Sequence, residues 1–174
     1  MIYVGLGANL PHPAHGTPAA TLAAALNALE SPDVRVNRRS RFYQTAPVPL
    51  SDQPWYVNAV AEIETAWPAD RLLGRLHAVE AEFGRVRRAR LEPRVVDLDL
   101  LTYGAQVAPG DERSGAPILP HPRMHQRAFV LLPLAELAPD WRHPRLGLGI
   151  GDLIARLDAD QIVEALVDED SRAS

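Results

Sequence analysis

The chain of 174 residues contains no cysteine and no lysine; all 18 of its basic side chains are arginine. Without cysteine there are neither disulfides nor thiolate metal sites, which permits a reducing compartment. Without lysine there is no amine nucleophile or Schiff base, and any phosphate contact falls to a planar guanidinium. No apolar run reaches the roughly 18 residues of a membrane-spanning helix, so no membrane partner is expected. The start, Met1-Ile2-Tyr3-Val4-Gly5, runs straight into a strand pattern with no charged stretch before it. No secretion signal is therefore expected, and a cytoplasmic location is. Neither a Gly-x-x-x-x-Gly-Lys phosphate loop nor the protein-kinase signatures occur, which removes the ordinary enzymes of both kinds. Net charge is −4, with positive charge concentrated at residues 35–41 and 85–94, a balance that argues against a nucleic-acid partner. The apolar share of 47% suits one globular domain with a real core. That domain is expected over residues 1–167, followed by a frayed acidic tail at 168–174.

What stands out is a run of apolar residues interrupted twice, Val95-Val96-Asp97-Leu98-Asp99-Leu100-Leu101. In a strand, residues two apart share a face and stand roughly 6–7 Å apart. Asp97 and Asp99 then face one side while Val96, Leu98 and Leu100 face a core. Like charges on one strand face repel, and Asp is a poor strand former. A divalent cation would offset that cost, since Mg²⁺ is commonly held by one or two carboxylates plus substrate phosphates. Just upstream, five of the ten residues 85–94 are arginine, which would supply phosphate clamps. Taken alone, the aspartate pair also suits the wet face of a half-exposed sheet, and the arginines a solvated turn; side by side they favour phosphoryl-transfer chemistry. His77, His121 and His125 match no common zinc spacing, and carboxylates are the better ligands here.

Residues 2–6 read as a strand ending in Gly5-Leu6-Gly7-Ala8-Asn9, where two glycines allow tight backbone geometry. Thr17 and Pro18 open a helix to about Glu30, with Leu22, Ala25, Leu26 and Leu29 on one stripe. Residues 34–43 alternate as a second strand, in which Arg38, Arg39 and Arg41 read as a solvated face, and a Pro-rich loop covers 45–54. A third strand at 55–65 turns Val57, Ala59, Ala61 and Ile63 one way and Tyr56, Asn58, Glu62 and Glu64 the other, with Val60 among the latter. Pro68 opens a second helix carrying Leu72, Leu73, Leu76, Val79 and Phe83, and Gly84 ends it. Residues 95–103 form the aspartate strand, and 108–115 a polar surface excursion. The region 126–138 reads as one or two short helical turns broken near Pro133, and 151–157 as a short helix. Residues 162–167 suit either a short strand or a helix.

The order strand, helix, strand, strand, helix, strand is the ferredoxin-like βαββαβ pattern of an α+β fold. Its sheet is antiparallel-rich, with both helices on one face. The alternation places Tyr56, Asn58, Asp97 and Asp99 on the opposite face, partly covered by the C-terminal segments.

The chain also resembles, over about residues 2–157 and in order, the 6-hydroxymethyl-7,8-dihydropterin pyrophosphokinases of folate biosynthesis. The segments that carry the resemblance are Gly5-Leu6-Gly7-Ala8-Asn9-Leu10, Phe42-Tyr43-Gln44-Thr45-Ala46-Pro47 and Gln53-Pro54-Trp55-Tyr56-Val57-Asn58. Further on they are Gly84-Arg85-Val86-Arg87, Pro93-Arg94-Val95-Val96-Asp97-Leu98-Asp99, and Leu119-Pro120-His121-Pro122-Arg123-Met124 through Phe129. The chain departs from the family at Ala46, where a proline is usual, at Leu91-Glu92, which replace Trp-Gly, and at Pro122, which takes an aromatic position. The resemblance implies transfer of the terminal pyrophosphate of ATP to the pterin hydroxymethyl group, with release of AMP. By that likeness Asp97 and Asp99 would hold two Mg²⁺ ions, and Asp97 would also orient the attacking hydroxyl. Arg85 and Arg94 would assist the transfer. Glu80, Arg87, His121 and Arg127 would serve ATP. Tyr56 and Phe129 would sandwich the pterin, Asn58 would bond its edge, and the backbone of Thr45, Pro47 and Val48 would meet its amide-like atoms. The implied partners are these small molecules alone, acting on a monomer. Two rivals remain at this stage, a non-catalytic RNA-binding module and a Mg²⁺-dependent phosphohydrolase.

Overall fold

The computed structural model describes residues 1–47, 52–84, 95–111 and 115–166. The expected roles of Val48, Arg85, Arg87 and Arg94, and the acidic tail 168–174, lie outside the described residues.

Strand β1 (Ile2–Ala8) leads into helix α1 (Pro18–Leu29). The helix starts as its sequence requires: Thr17 Oγ1 accepts the Ala20 N–H at 3.3 Å, and Pro18 takes the first position, where its missing N–H is no loss. Strands β2 (Val34–Arg39), β3 (Tyr43–Thr45) and β4 (Tyr56–Thr65) precede helix α2 (Ala69–Glu82). Gly84 follows that helix at φ +80°, a left-handed conformation that glycine adopts without a Cβ penalty. Strand β5 (Asp97–Tyr103) carries the aspartates; β6 (Ala108–Asp111) pairs with β7 (Ala116–Leu119) as a separate two-stranded sheet. Helices α3 (Ala128–Leu137) and α4 (Ile150–Ile154) and strand β8 (Val163–Ala165) complete the order.

The main sheet runs β5-β1-β4-β3-β8, with β2 also on β4. Its named pairs are antiparallel. This is the expected ferredoxin-like α+β arrangement, extended at one edge by β8. On one face Leu22, Leu26 and Leu29 of α1 and Leu72, Leu76 and Val79 of α2 pack on Val4, Leu6, Ala59, Ala61, Ile63, Leu98 and Leu100. On the other, Val130, Leu131, Leu134 and Leu137 of α3 and Leu153 of α4 pack on Tyr3, Val60 and Leu101. Among the described residues, this second layer packs on Tyr3, Val60 and Leu101, toward one end of the face. Among the described residues no helix is long and apolar enough to cross a membrane.

Several local expectations are corrected. The second strand is two: β2 continues past a register irregularity between Val36 and Arg38 to end at Arg39, and β3 begins at Tyr43. The Ser40 N–H donates to Val60 O at 2.9 Å, and its Oγ accepts the Val60 N–H at 3.0 Å. Residues 108–111 are strand rather than excursion. Residues 128–137 form one helix with Pro133 inside it. An interior proline costs about 3 kcal/mol of helix propensity, and the buried side chains Val130, Leu131, Leu134 and Leu137 outweigh it. Residues 163–165 are strand, settling an ambiguity that short apolar runs always leave.

The arginines of β2 and the turn after it are largely exposed, as expected, but they also make specific contacts. Arg38 pairs with buried Glu62 and donates to Leu137 O at the end of α3 at 3.1 Å. Arg41 reaches Glu136 at 2.7 Å, and the Tyr43 hydroxyl donates to the same carboxylate. Arg39 lies over the Phe42 ring. Arg38, Arg41 and Tyr43 thus tie α3 to the sheet.

Candidate active site

Two neighbouring rows of the sheet define the open end of the second face. Asn58, Gly7 and Asp97 are directly opposite one another across β4, β1 and β5; Val60, Gly5 and Asp99 form the next row on the same face. Directly opposed residues share a face, so an amide and two carboxylates line one surface with glycines between them. The glycines are there for room, not for tight turns: both lie inside β1. A Cβ on Gly7 would stand 2.9 Å from Asn58 Oδ1 and 4.0 Å from the Asp97 Cβ. Gly7 therefore forms the floor of a slot between the amide and the first carboxylate.

The amide is fixed from the side. Asn58 is 5% exposed, and its Nδ2 donates to Thr45 Oγ1 at 2.7 Å. With that bond made, Oδ1 turns toward the slot. Tyr56 is half-buried and pairs with Thr45 across β3 and β4, while Pro47 is buried beyond it. Asn9, also buried, donates to Pro54 O at 3.2 Å and so ties the end of β1 to the approach to β4.

β5 is an edge strand of the main sheet, and Glu80 of α2 completes it. Its carboxylate, on a residue 1% exposed, accepts the Leu98 N–H at 2.7 Å. Leu98 separates the two aspartates, so this bond fixes the backbone from which both project. Glu80 stands behind the strand rather than on the open surface.

The remaining side comes from residues 119–129. His121 N–H donates to Leu101 O at 2.8 Å, which joins this segment to β5. His121 Nδ1 accepts the Arg123 N–H at 3.3 Å, so the neutral ring carries its proton on Nε2. Burial, reinforced by the charges of Arg127 and Arg123 and only partly opposed by Asp97, pushes the imidazole down to about 4. It is neutral at physiological pH. Arg127 Nη1 lies 3.9 Å from Asp99 Oδ2, on a carboxylate side chain 41% exposed, and its guanidinium carbon lies 5.4 Å from the Phe129 ring centroid. Phe129, in the first turn of α3, is half-buried against the second core layer.

The structure thus gathers Thr45, Asn58, Asp97, Asp99, His121 and Arg127 on one surface, with Tyr56 and Phe129 from different elements at its margins. Asp97 and Asp99 suit Mg²⁺. They are hard oxygen donors on one strand face, half-buried or exposed, with no Cβ on the glycines opposite. Among the described residues no group of three acidic or histidine side chains forms a metal cluster. Two carboxylates and phosphate oxygens are the donor set Mg²⁺ commonly takes. Sequence reasoning missed the part played by Gly7, although glycines two apart in a strand must share a face, which was a usable signal. It also missed Glu136 and Gln161, which no motif marks.

Comparison with known proteins places this geometry in a family. A family model described as 7,8-dihydro-6-hydroxymethylpterin-pyrophosphokinase matches residues 3–139. The 2-amino-4-hydroxy-6-hydroxymethyldihydropteridine pyrophosphokinase of Methylorubrum extorquens is 46% identical over 140 residues, 79% of this chain and 82% of that protein. The enzyme of the same name from Pseudomonas aeruginosa is 42% identical over 144 residues, 82% of this chain and 83% of its own. That of Haemophilus influenzae is 41% identical over 139 residues, 79% and 81% of the two chains. The matched span carries every candidate site residue from Thr45 to Phe129, and the chain belongs to the 7,8-dihydro-6-hydroxymethylpterin-pyrophosphokinase family, the pyrophosphate transferases of folate biosynthesis.

Proposed function

We propose that this chain transfers the terminal pyrophosphate of ATP to the hydroxymethyl group of 6-hydroxymethyl-7,8-dihydropterin, giving AMP and the pterin diphosphate. The reading treats residues 1–167 as one domain, a cytoplasmic monomer acting on small molecules without nucleic-acid or membrane partners. The observation that carries it is the row Asn58-Gly7-Asp97 with Asp99 beside it. A fixed hydrogen-bonding edge for a planar heterocycle there adjoins a pair of carboxylates, across a slot that a Cβ would fill.

Each residue has a task in this scheme. Asn58 and the backbone of Thr45, Pro47 and Val48 bind the polar edge of the pterin, while Tyr56 and Phe129 cover its faces. The pterin hydroxyl then points over Gly7 toward Asp97, which orients it. The hydroxyl oxygen bonds to the β-phosphorus of ATP and gives up its proton to solvent, the bond from that phosphorus to the α-phosphate oxygen breaks, and AMP leaves with that oxygen. Such transfer needs positioning and charge neutralisation more than a covalent nucleophile. Two Mg²⁺ ions held by Asp97 and Asp99 would neutralise the triphosphate. Arg127 and the neutral His121, donating through Nε2, would contact phosphate oxygens, as would Arg87, with Glu80 fixing the strand behind them. Arg85 and Arg94 would stabilise the charge that develops during transfer.

Titration of Mn²⁺ by electron paramagnetic resonance, with a non-hydrolysable ATP analogue present, tests the metal assignment. Wild type should bind two Mn²⁺, and Asp97→Asn and Asp99→Asn fewer or far more weakly; unchanged binding in both variants would remove the pair from the site.

A further inference from the structure

Gln161 lies outside the span the family model matches, between α4 and β8, yet its side chain ends at the active site. Its Oε1 accepts the Ala128 N–H at 2.9 Å, and its Nε2 donates to Gln126 O at 3.0 Å. Those two backbone groups belong to the peptide units immediately before and after Arg127. One carboxamide therefore grips both peptides flanking the arginine whose guanidinium reaches Asp99.

We infer that Gln161 is a positioning residue for the nucleotide: by fixing the backbone on both sides of Arg127, it aims that guanidinium at Asp99 and at the phosphates bound beside it. The inference rests on the proposed contact of Arg127 with ATP.

The local chain needs such a clamp. Arg127 sits at φ −117° and ψ 111°, an extended residue between the single turn Met124–Gln126 and α3. It is the N-cap of α3, yet it makes no side-chain cap hydrogen bond. Helix N-termini leave backbone N–H groups without intrahelical partners, ordinarily met by a cap side chain. Here a residue from a distant segment meets one of them in place of the N-cap's own side chain. Gln161 is itself held in place. The Ala46 N–H donates to Ile162 O at 3.2 Å, Val163 pairs with Thr45, and the Leu166 N–H donates to Phe42 O at 2.8 Å. The segment 161–166 thus fastens the start of α3 to the strand that carries Thr45, and so joins the nucleotide side of the site to the pterin side.

Only a side chain of this length with a donor and an acceptor at its tip makes both bonds. Glutamate keeps the acceptor for Ala128 but sets a carboxylate against the Gln126 carbonyl; alanine makes neither. The test compares wild type, Gln161→Ala, Gln161→Glu, Arg127→Ala and the double variant Gln161→Ala/Arg127→Ala as full chains. Calorimetry with MgATP gives affinity, and steady-state assays give turnover. Two lost hydrogen bonds should weaken ATP binding about five- to tenfold in Gln161→Ala. Gln161→Glu should fall between that variant and wild type, pterin KM should stay within about twofold, and Gln161→Ala should have no further effect once Arg127 is alanine. Unchanged ATP affinity in Gln161→Ala, or the same loss with and without Arg127, would overturn the positioning role. The outcomes are separable from the proposed reaction. A wild type that binds ATP without transferring pyrophosphate would contradict the reaction while the affinity cycle still decides Gln161.

Discussion

Replacing Gly7 with alanine adds one methyl group at the narrowest point of the site. The new Cβ would stand 2.9 Å from Asn58 Oδ1, a separation that real Cβ atoms essentially never show, so Asn58 must move. It cannot move freely, because it is 5% exposed and bonded to Thr45 at 2.7 Å. Swinging it aside breaks that bond, worth about 0.5–1.5 kcal/mol net, and overpacking adds about 1–3 kcal/mol. A stability loss of about 1.5–4.5 kcal/mol follows, read as a lower urea midpoint at constant m-value. Pterin recognition suffers more directly, because the displaced amide no longer meets the heterocycle and the slot to Asp97 is filled. A polar group left unpaired costs about 1–3 kcal/mol, so kcat/KM for the pterin should fall about five- to 150-fold. ATP affinity should stay nearly unchanged. Gly5→Ala is the control: the nearest atoms to its Cβ would be those of the Leu101 side chain, at 3.3 Å, and it should leave pterin KM within about threefold. Wild-type pterin kinetics in a folded Gly7→Ala protein would refute the slot.

Asp97→Asn and Asp99→Asn should each reduce turnover by at least about a hundredfold; near-normal turnover would remove their metal role. Glu80→Ala should cost about 1–3 kcal/mol in urea unfolding by stranding the buried Leu98 N–H. Glu80→Gln keeps an acceptor and should cost less, so equal losses would show that charge, not the hydrogen bond, matters. His121 is a weaker base folded, at about 4, than unfolded, where its ordinary value is 6.5. As pH falls through 6.5 the unfolded chain takes up the proton first, so stability declines from there until about pH 4. The loss from this ring is about 3.5 kcal/mol at ~1.4 kcal/mol per pKa unit. Buried His143 is also pushed down and adds to the same slope. Urea unfolding at pH 7 and 4.5 checks this, and His121→Asn should flatten the dependence; an unaltered slope would contradict the assignment.

Much of this arrangement was legible in the chain because it rests on periodicity two. Alternation alone put Asn58, Asp97 and Asp99 on one face and Val57, Ala59, Leu98 and Leu100 on the other, and Thr17-Pro18 marked the start of α1. What alternation does not carry is which strands become neighbours. The opposition of Gly7 to both Asn58 and Asp97 belongs to the register of three strands far apart in sequence. Local propensity alone breaks helix α3 at Pro133, whereas its buried face against Tyr3, Val60 and Leu101 is a tertiary effect. Arg38 and Arg41 are surface charges whose partners, Glu62 and Glu136, come from other elements and so leave no local signal. Gln161 illustrates the limit: a single polar residue with no motif, whose meaning comes entirely from the two peptides it touches.

The reaction itself is tested most directly by identifying its products. Purified protein incubated with ATP, Mg²⁺ and 6-hydroxymethyl-7,8-dihydropterin should form AMP and pterin diphosphate in equal amounts, and neither when the pterin is withheld. ADP as the nucleotide product, or phosphate released without the pterin, would contradict pyrophosphate transfer at the Asp97–Asp99 site.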